Sequence, residues 1–292
     1  MAIPPIVSYP MPQTHDFPAG KVAWAFDPSR AVLLIHDMQD YFVNFYGADS
    51  PLVRQLIENI AALRTYCQRH EIPVVYSVQP KKQSPADRAL LNDIWGAGLN
   101  ACPEQQGVVS ALAPDEHDTV LVKWRYSAFH RSPLESMMKE MDKDQLVICG
   151  VYGHIGCMIT ATDAFMRDIK AFVVGDAIAD FSAQDHLMAL KYVATRAGRV
   201  VSTADLIGAA EKSAPLTRAA LKAHLLTLID EDADRFDDNE NLIDYGLDSV
   251  RMMALLTEWR HQGIALSFVD LARNPTLNGW WAQIEKQQGS HA

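Results

Sequence analysis

Short, nearly continuous runs of apolar and β-branched residues alternate with longer segments of helical periodicity from the start of the chain to residue 208. Runs of this kind predict buried strands, and their alternation with helices predicts a parallel sheet that is covered on both faces. The predicted strands are Ala31–His36, Pro73–Val78, Thr119–Val122, Gln145–Cys149, Ala171–Val174 and Arg199–Ser202. Residues 1–208 are therefore predicted to form an α/β domain with a doubly wound parallel sheet.

Serine residues mark the starts of three predicted helices between these strands. A serine before a helix accepts a hydrogen bond from a free backbone N–H, and proline suits the first helical position. The three starts are Ser50-Pro51, with a helix to about His70, Ser132-Pro133, and Ser182 with Asp185.

The pattern changes after residue 208. The segment Ala209–Pro215 is short, small and polar and ends in proline, so we interpret it as a linker. Residues 216–292 carry helical patterns only: about Thr217–Leu228, Ser249 to about His261, a short turn started by Ser267, and a last helix from Thr276. This arrangement predicts a small bundle of four helices.

Composition limits the classes of function. The 292 residues include 26 Lys and Arg against 36 Asp and Glu, and the resulting net charge of −10 argues against nucleic-acid binding. The four cysteines show no metal-binding or disulfide spacing, and neither an export signal nor a membrane-spanning stretch is recognisable, so a cytoplasmic location is expected. From Leu216 onward, seven basic residues face twelve acidic ones. That acidity suits docking on basic partner surfaces, although an ordinary solvated surface explains it nearly as well.

Polar residues follow the predicted strands. In an open parallel sheet, ligands bind beyond the carboxyl ends of the strands. The residues that follow strands one to five are Asp37, Gln79, Lys123 with Arg125, Tyr152, and Asp176. Each alone is compatible with an ordinary loop or surface position. Their shared position favours a site for acid–base chemistry on a polar, anionic substrate.

A Gly246-Leu247-Asp248-Ser249 tetrad opens the second helix of the predicted bundle. This tetrad is typical of acyl and peptidyl carrier domains, in which the serine hydroxyl is esterified with 4′-phosphopantetheine. A phosphate at a helix N-terminus meets unpaired N–H groups and the positive end of the helix dipole. A simple capped helix start is the alternative. The apolar residues Val250, Met253 and Leu256 that follow favour the carrier interpretation.

Three tracts of the first domain resemble the isochorismatase-like, or cysteine hydrolase, superfamily: Ile35–Gln39, Lys123-Trp124-Arg125 and Gly150–Gly156. Many members hydrolyse amides with an Asp-Lys-Cys triad whose cysteine lies six residues after the equivalent of Gly150. Gly156 occupies that position here, and the neighbouring Cys157 is turned by about 100° on a helix. An amidase is therefore disfavoured.

The whole chain resembles the bifunctional isochorismatase–aryl carrier proteins of catechol siderophore synthesis, of the enterobactin and vibriobactin type. This resemblance implies hydrolysis of the vinyl ether of isochorismate to pyruvate and 2,3-dihydro-2,3-dihydroxybenzoate. The expected general acid is Asp37, with Phe42 and Trp95 as an apolar wall, while Lys123 either orients Asp37 or binds a substrate carboxylate. The resemblance also places Gln79, Arg88, Tyr126, Tyr152 and the backbone N–H of Gly156 in the site, and a non-proline cis peptide near Val151-Tyr152.

For the second domain, the resemblance implies 2,3-dihydroxybenzoate carried as a thioester on phosphopantetheine at Ser249. The implied partners are a phosphopantetheinyl transferase, the enzyme that adenylates 2,3-dihydroxybenzoate, and a condensation domain of a nonribosomal peptide synthetase. Asp248, Asp230 and the carbonyl of Gly246 are candidate ligands for the Mg²⁺ that the transferase uses. By analogy, we also expect a homo-oligomer formed through the first domain.

Two other functions remain as alternatives. One is a cysteine amidase fused to a carrier, which the glycine at position 156 disfavours. The other is a carrier whose first domain serves only for docking or dimerisation. The joint presence of Asp37, Gln79 and Lys123 at the strand ends disfavours it.

Overall fold

The computed structural model describes residues 3–213, 216–229, 235–261, 264 and 266–288. The chain divides into two compact units, Met1–Gly208 and Ala209–Ala292. Asp230, Ala214 and Pro215 lie outside the described residues. Among the described residues, no helix combines the length and the apolar character that crossing a membrane requires.

The first unit is built on a parallel sheet of six strands in the order β3-β2-β1-β4-β5-β6. The strands are β1 (Ala31–His36), β2 (Val74–Val78), β3 (Thr119–Val122), β4 (Gln145–Val151), β5 (Lys170–Ala179) and β6 (Gly198–Val201). All residues of β1 and β4 are buried, which agrees with a sheet covered on both faces. The strand order reverses between β1 and β4, and such a reversal opens a crevice at the carboxyl ends of the strands.

Helices of the first unit occupy both faces of the sheet. They are α1 (Asp40–Val43), α2 (Pro51–Arg69), α3 (Pro85–Arg88), α4 (Leu91–Trp95), α5 (Leu134–Glu140), α6 (Met158–Phe165), α7 (Ala183–Tyr192) and α8 (Thr203–Ser213). Val32 and Leu34 of β1 share one apolar cluster with residues of α5, α6 and α7. Helix α2 packs on the same strands but lies outside that cluster. Because side chains alternate along a strand, α2 covers the other face.

The serine caps of α2 and α7 are confirmed. Ser50 accepts a hydrogen bond from the backbone N–H of Val53, and Ser182 accepts one from that of Asp185. The predicted start at Ser132-Pro133 is wrong by one residue, because Pro133 has a non-helical ψ of 8° and α5 begins after it, at Leu134. Ser132 still accepts a hydrogen bond from the N–H of Leu134.

Strand β5 is longer than predicted, because the buried residues Ala177, Ile178 and Ala179 continue it to its end at Ala179. Asp176 therefore lies within the strand and not after it. Its carboxylate accepts hydrogen bonds from the N–H and the hydroxyl of Thr203, both at 2.8 Å.

The second unit contains four helices in its described residues: α9 (Arg218–Leu228), α10 (Ser249–His261), α11 (Phe268–Arg273) and α12 (Leu277–Gln288). Thr217 caps α9 and Ser267 caps α11, as their positions before the helical patterns suggest. Trp259 and Trp280 are fully buried and pack edge to face in the core. Helix α8 continues to Ser213, so residues 209–213 of the predicted linker are helical.

Candidate active site and carrier serine

The carboxyl ends of the strands form a pocket in the first unit. Nine of the eleven residues that the sequence suggested for the site line it: Asp37, Phe42, Gln79, Arg88, Trp95, Lys123, Tyr126, Tyr152 and Gly156. They come from five separate segments of the chain, which the parallel topology brings to one edge of the sheet. The cis peptide is present at Val151-Tyr152, as the resemblance implied.

A buried ion pair forms the floor of the pocket. Asp37 directly follows β1 and has a φ of 49°, in the left-handed region that aspartate tolerates better than most residues. The ammonium of Lys123 donates to Oδ2 of Asp37, and both side chains are at most 6% exposed. Oδ1 of Asp37 is buried and has no hydrogen-bond partner among the described residues. The pair thus leaves one carboxyl oxygen free to face a ligand.

Arg88 supplies a second buried cation. Its Nε donates to the carbonyl of Gly96 at 2.6 Å, and its Nη1 has no partner among the described residues. Burial lowers the pKa of the guanidinium, since the charged form is partly removed from water. The side chain is close to Gly98, where an added Cβ would lie 2.2 Å from Nη2. A buried guanidinium with a free N–H group is suited to bind a carboxylate.

Aromatic side chains form the walls. The indole of Trp95 donates to the hydroxyl of Tyr126 at 2.9 Å, and the hydroxyl of Tyr152 donates to the carbonyl of Phe42 at 2.7 Å. Burial raises the pKa of Tyr152, so this hydroxyl stays protonated. Phe181 packs edge to face on Tyr152, with ring centroids 4.7 Å apart. Because the polar atoms of these rings are paired with the protein, their faces remain as an apolar lining.

Gln79 is held by its neighbour Gln39. The fully buried Gln39 side chain accepts from the N–H of Gln79 at 2.7 Å and donates to its carbonyl at 3.0 Å. It also donates to the carbonyl of Gln106 at 2.8 Å. These bonds fix the backbone at the end of β2 and hold Gln79 at the pocket.

Gly156 lies in the pocket wall, as the resemblance implied. In the π-helical turn Gly153–Cys157, the N–H of Gly156 donates to the carbonyl of Tyr152 at 2.9 Å. Cys157 is fully buried in the apolar core below the sheet face, and burial raises the pKa of its thiol well above the usual value. Neither residue offers a nucleophile to the pocket.

Two strand-end residues are outside the pocket. Asp176 caps the start of α8, as described above. The guanidinium of Arg125 donates to the backbone carbonyls of Asp87 and Trp124. The side chains of Asp176 and Arg125 therefore form structural hydrogen bonds and do not line the pocket.

Six pocket residues were not anticipated from the sequence: Ile3, Tyr41, Leu91, Gly98, Ile155 and Phe181. Tyr41, Leu91, Gly98 and Ile155 are sequence neighbours of anticipated residues, and this proximity was the available signal. Ile3 and Phe181 carry no such signal. They reach the pocket through tertiary packing, and the N–H of Phe181 is held by the buried carboxylate of Asp180 at 2.8 Å.

Ser249 is exposed at the first position of α10, in the second unit. Oδ1 of Asp248 accepts from the N–H of Arg251 at 2.8 Å and so caps this helix start. Gly246 has a φ of 87°, which favours glycine, and Leu247 is buried. The tetrad thus turns the chain, anchors it and leaves the serine hydroxyl in solvent.

Apolar side chains are also exposed near the serine. Met253 on α10 is 50% exposed and Val250 is 75% exposed, whereas Met252 and Leu256 belong to the core. Phe268 is partly exposed at the start of α11, while Trp280 is buried.

The magnesium ligands suggested from the sequence stay a prediction, because Asp230 lies outside the described residues. Of the other two, Asp248 accepts from the N–H of Arg251 through Oδ1, and the carbonyl of Gly246 accepts from the guanidinium of Arg251 at 3.3 Å. In the part of the chain that the structure describes, no group of three or more His, Cys, Asp or Glu side chains is arranged to hold a metal ion.

The first unit is a six-stranded parallel sheet with an Asp–Lys pair at its carboxyl edge and no Cys or Ser among the described pocket residues. With the exposed Gly-Leu-Asp-Ser serine of the helical unit, these features define the class of a hydrolase fused to a carrier domain. Residues 31–205 match the isochorismatase domain model, and residues 219–284 match the phosphopantetheine attachment site model. The chain belongs to the isochorismatase family and carries a phosphopantetheine-binding domain.

Two curated relatives span both units. Enterobactin synthase component B of Escherichia coli (strain K12) is 61% identical over 287 residues, covering 98% of this chain and 99% of the relative. The isochorismatase of Bacillus subtilis (strain 168) is 47% identical, covering 96% and 94%. A cysteine hydrolase from Pseudomonas syringae pv. phaseolicola 1448A shares the fold of the first unit, with a TM-score of 0.60 and 23% identity over 66% of this chain and 97% of that one. The isochorismatase domain and the two full-length relatives show that the chain is a hydrolase.

Proposed function

We propose that the first unit hydrolyses isochorismate to pyruvate and 2,3-dihydro-2,3-dihydroxybenzoate, and that the second carries 2,3-dihydroxybenzoate as a thioester in the synthesis of an enterobactin-type siderophore. The observation that carries the proposed hydrolysis is the buried Asp37–Lys123 pair, which shares an aromatic pocket with Arg88. Nη1 of Arg88 has no partner among the described residues, and no cysteine lines the described pocket. The full-length relatives support the combination of the two activities.

Isochorismate carries two carboxylates, and the pocket contains two buried cations. Arg88 binds one carboxylate through its free Nη1 and adjacent N–H groups. Lys123 is already bonded to Asp37, which favours the orienting role among the two that the sequence left open. The aromatic walls then enclose the ring and the vinyl ether.

Asp37 is the proton donor. Since Oδ2 is held by Lys123, the transferable proton is carried on Oδ1, which has no protein partner in the described residues. Transfer of this proton to the terminal methylene carbon of the vinyl ether leaves an oxocarbenium ion, which the new carboxylate and the surrounding aromatic faces stabilise. Water adds to the cationic carbon and returns its proton to Asp37. As the hemiketal breaks its bond to the ring oxygen, its hydroxyl gives up a proton to water and the ring oxygen takes one from Asp37, so that pyruvate and the diol are released and solvent reprotonates Asp37.

Pyruvate release from isochorismate tests this half. Purified protein is incubated with isochorismate, and pyruvate is followed by its reduction with lactate dehydrogenase and NADH. We expect catalytic turnover that persists after alkylation of the accessible thiols, because the pocket contains no cysteine. No pyruvate above the spontaneous rate would refute the proposal.

The carrier half is supported by the exposure of Ser249 at the start of α10 and by the match to the attachment-site model. The attached arm supplies a thiol that forms the thioester with the aryl acid. The helix start formed by Asp248 and Ser249 presents the phosphodiester to solvent, next to exposed apolar side chains such as Met253. The partners are a phosphopantetheinyl transferase, the 2,3-dihydroxybenzoate-adenylating enzyme and a condensation domain. Asp248, Asp230 and the carbonyl of Gly246 are the groups that would hold the Mg²⁺ used in the loading step.

Intact-mass measurement tests this half. Treatment with coenzyme A and a phosphopantetheinyl transferase should add one phosphopantetheine to the natural chain and none to Ser249→Ala. An arm found on another serine would overturn the assignment.

Three further points belong to the same proposal. The hydrolase comprises residues 1–208, the carrier comprises residues 216–292, and residues 209–215 join them. The chain works in the cytoplasm, and it assembles as a homo-oligomer through the hydrolase.

The domain bounds are tested with a fragment that begins at Leu216, which should fold and accept the arm. Sedimentation of the full chain and of residues 1–208 should give the same subunit number, and a monomer in either case would refute the assembly.

A further inference from the structure

His36 occupies a central place beneath the pocket, although no role in the proposed reaction uses it. It is the last residue of β1, its side chain is fully buried, and it immediately precedes Asp37. Its Nδ1 lies 2.9 Å from the carbonyl of Val151, and its Nε2 lies 3.3 Å from the carbonyl of Tyr126. The imidazole therefore lies between the end of β1 and the segments that carry Tyr152 and Tyr126, and as a neutral ring it donates to one of the two carbonyls.

Two glycines make room for this histidine. At Gly150, an added Cβ would lie 2.1 Å from the carbonyl oxygen of His36. At Gly156, an added Cβ would lie 2.0 Å from Cε1 of the imidazole and 2.7 Å from each ring nitrogen. No side chain fits at position 156 while the imidazole is in place. Conversely, the imidazole reaches its two carbonyls because position 156 has no side chain.

The charge state of His36 agrees with a packing role. Burial lowers the pKa of the imidazole to about 4, although Asp37 opposes this change. The neutral ring has one N–H, and the shorter contact assigns it to Nδ1, which donates to Val151. Nδ1 is 3.8 Å from Oδ2 of Asp37. The ring thus contacts the carboxylate without adding a second cation to the pair formed with Lys123.

We propose that His36 is a positioning and specificity-determining residue: it holds Asp37 and the Tyr152 segment in place, and it fills the volume that a nucleophilic side chain at position 156 would need. The inference rests on the proposed hydrolysis and deepens it. The pair of His36 and Gly156 restricts the pocket to hydrolysis by proton transfer to a vinyl ether, and excludes attack by a side chain at this position. A side chain at 156 and an imidazole at 36 are mutually exclusive.

A double-mutant cycle tests the pair. The four proteins are the natural chain, His36→Ala, Gly156→Ala and the combination, each measured for kcat, KM and Tm. A methyl group that displaces the imidazole should lower kcat of Gly156→Ala by about 10²-fold, as sub-ångström to ångström misplacement does in other sites. In the His36→Ala background, the same substitution should change kcat and Tm little, with kcat within about threefold. Equal losses from Gly156→Ala in both backgrounds would overturn the proposal.

Two controls separate positioning from general stability. His36→Asn keeps an N–H near the place of Nδ1, so its kcat should exceed that of His36→Ala while KM stays similar; equal kcat values would refute the positioning role. His186 is also fully buried and bonded through both ring nitrogens, to Tyr9 at 3.0 Å and Gly175 at 2.9 Å. His186→Ala should lower Tm without relieving the loss caused by Gly156→Ala.

The two proposals fail in distinguishable ways. If the natural chain releases no pyruvate, the proposed hydrolysis is wrong. The Tm values of the four proteins then still test whether a side chain at position 156 and an imidazole at position 36 exclude each other. If the natural chain is active but the losses of kcat and Tm in the two single variants add up in the combination, the proposed hydrolysis stands and the proposed role of His36 is wrong.

Discussion

Replacing Asp37 by asparagine should separate the proton transfer from the electrostatics of the pocket floor. Asparagine has nearly the same shape and also tolerates the left-handed backbone at this position, where φ is 49°. It has no acidic proton on the atom that replaces Oδ1. We therefore expect kcat to fall by about 10²–10⁴-fold, the range for loss of a general acid.

The same substitution breaks a buried ion pair and should therefore also lower the free energy of unfolding. Lys123 is 3% exposed and donates to Asp37, so Asp37→Asn leaves its ammonium without a counter-charge. Removal of one partner from such a pair costs about 3–5 kcal/mol, and the lower value of about 3 applies because the amide oxygen still accepts a hydrogen bond. For a domain of this size, 1 kcal/mol corresponds to about 2–4 °C, so Tm should fall by about 6–12 °C.

The assay pairs pyruvate release with thermal unfolding, and Asp37→Asn combined with Lys123→Met is the matched control. The combination removes both charges, so much of the lost Tm should return while kcat stays low. Near-normal turnover in Asp37→Asn would refute the role of Asp37 as proton donor. An unchanged Tm would refute the energetic importance of the pair.

Arg88→Ala should raise KM by about 10- to 100-fold with a smaller change in kcat, since a hydrogen bond to a charged group contributes about 1.5–3 kcal/mol; the control is Arg131→Ala, which removes an exposed arginine that pairs with Asp87 and stacks on Trp124, and an unchanged KM in Arg88→Ala would contradict carboxylate binding. Cys157→Ala should keep its turnover and lose about 1 kcal/mol of stability as a core substitution, whereas inactivation by a covalent inhibitor at Cys157 would revive the cysteine mechanism. Ser249→Ala should hydrolyse isochorismate at the normal rate and fail to gain mass with coenzyme A; a loss of hydrolysis would show that the two activities are not separable.

Local signals account for the parts of the fold that were predicted well. The bounds of β1 and β3 follow from short apolar runs with clear ends, and α10 begins at the serine of the Gly-Leu-Asp-Ser tetrad. The parallel topology then brought the predicted pocket residues together, because residues after parallel strands share one edge of the sheet.

The predictions were wrong or incomplete where contacts between distant parts of the chain determine the local structure. Nothing in the sequence near Asp176 shows that β5 continues to Ala179, because its pairing with β4 at that end depends on a register shift after Ile148. The hydrogen bond from the N–H of Gly156 to the carbonyl of Tyr152 depends on a π-helical turn, which the sequence pattern does not indicate. The contribution of Phe181 depends on the hydrogen bond from its N–H to Asp180, which periodicity does not encode.

The buried guanidinium of Arg88 links folding to ligand binding. This charge is 3% exposed and forms no ion pair with a carboxylate among the described residues, so its burial carries a cost that an anionic ligand offsets. A ligand present at 100 times its Kd adds about 2.7 kcal/mol of stability. The native state is therefore expected to unfold and to be proteolysed more slowly when an anionic ligand fills the pocket, so the binding charge also acts on the stability of the fold.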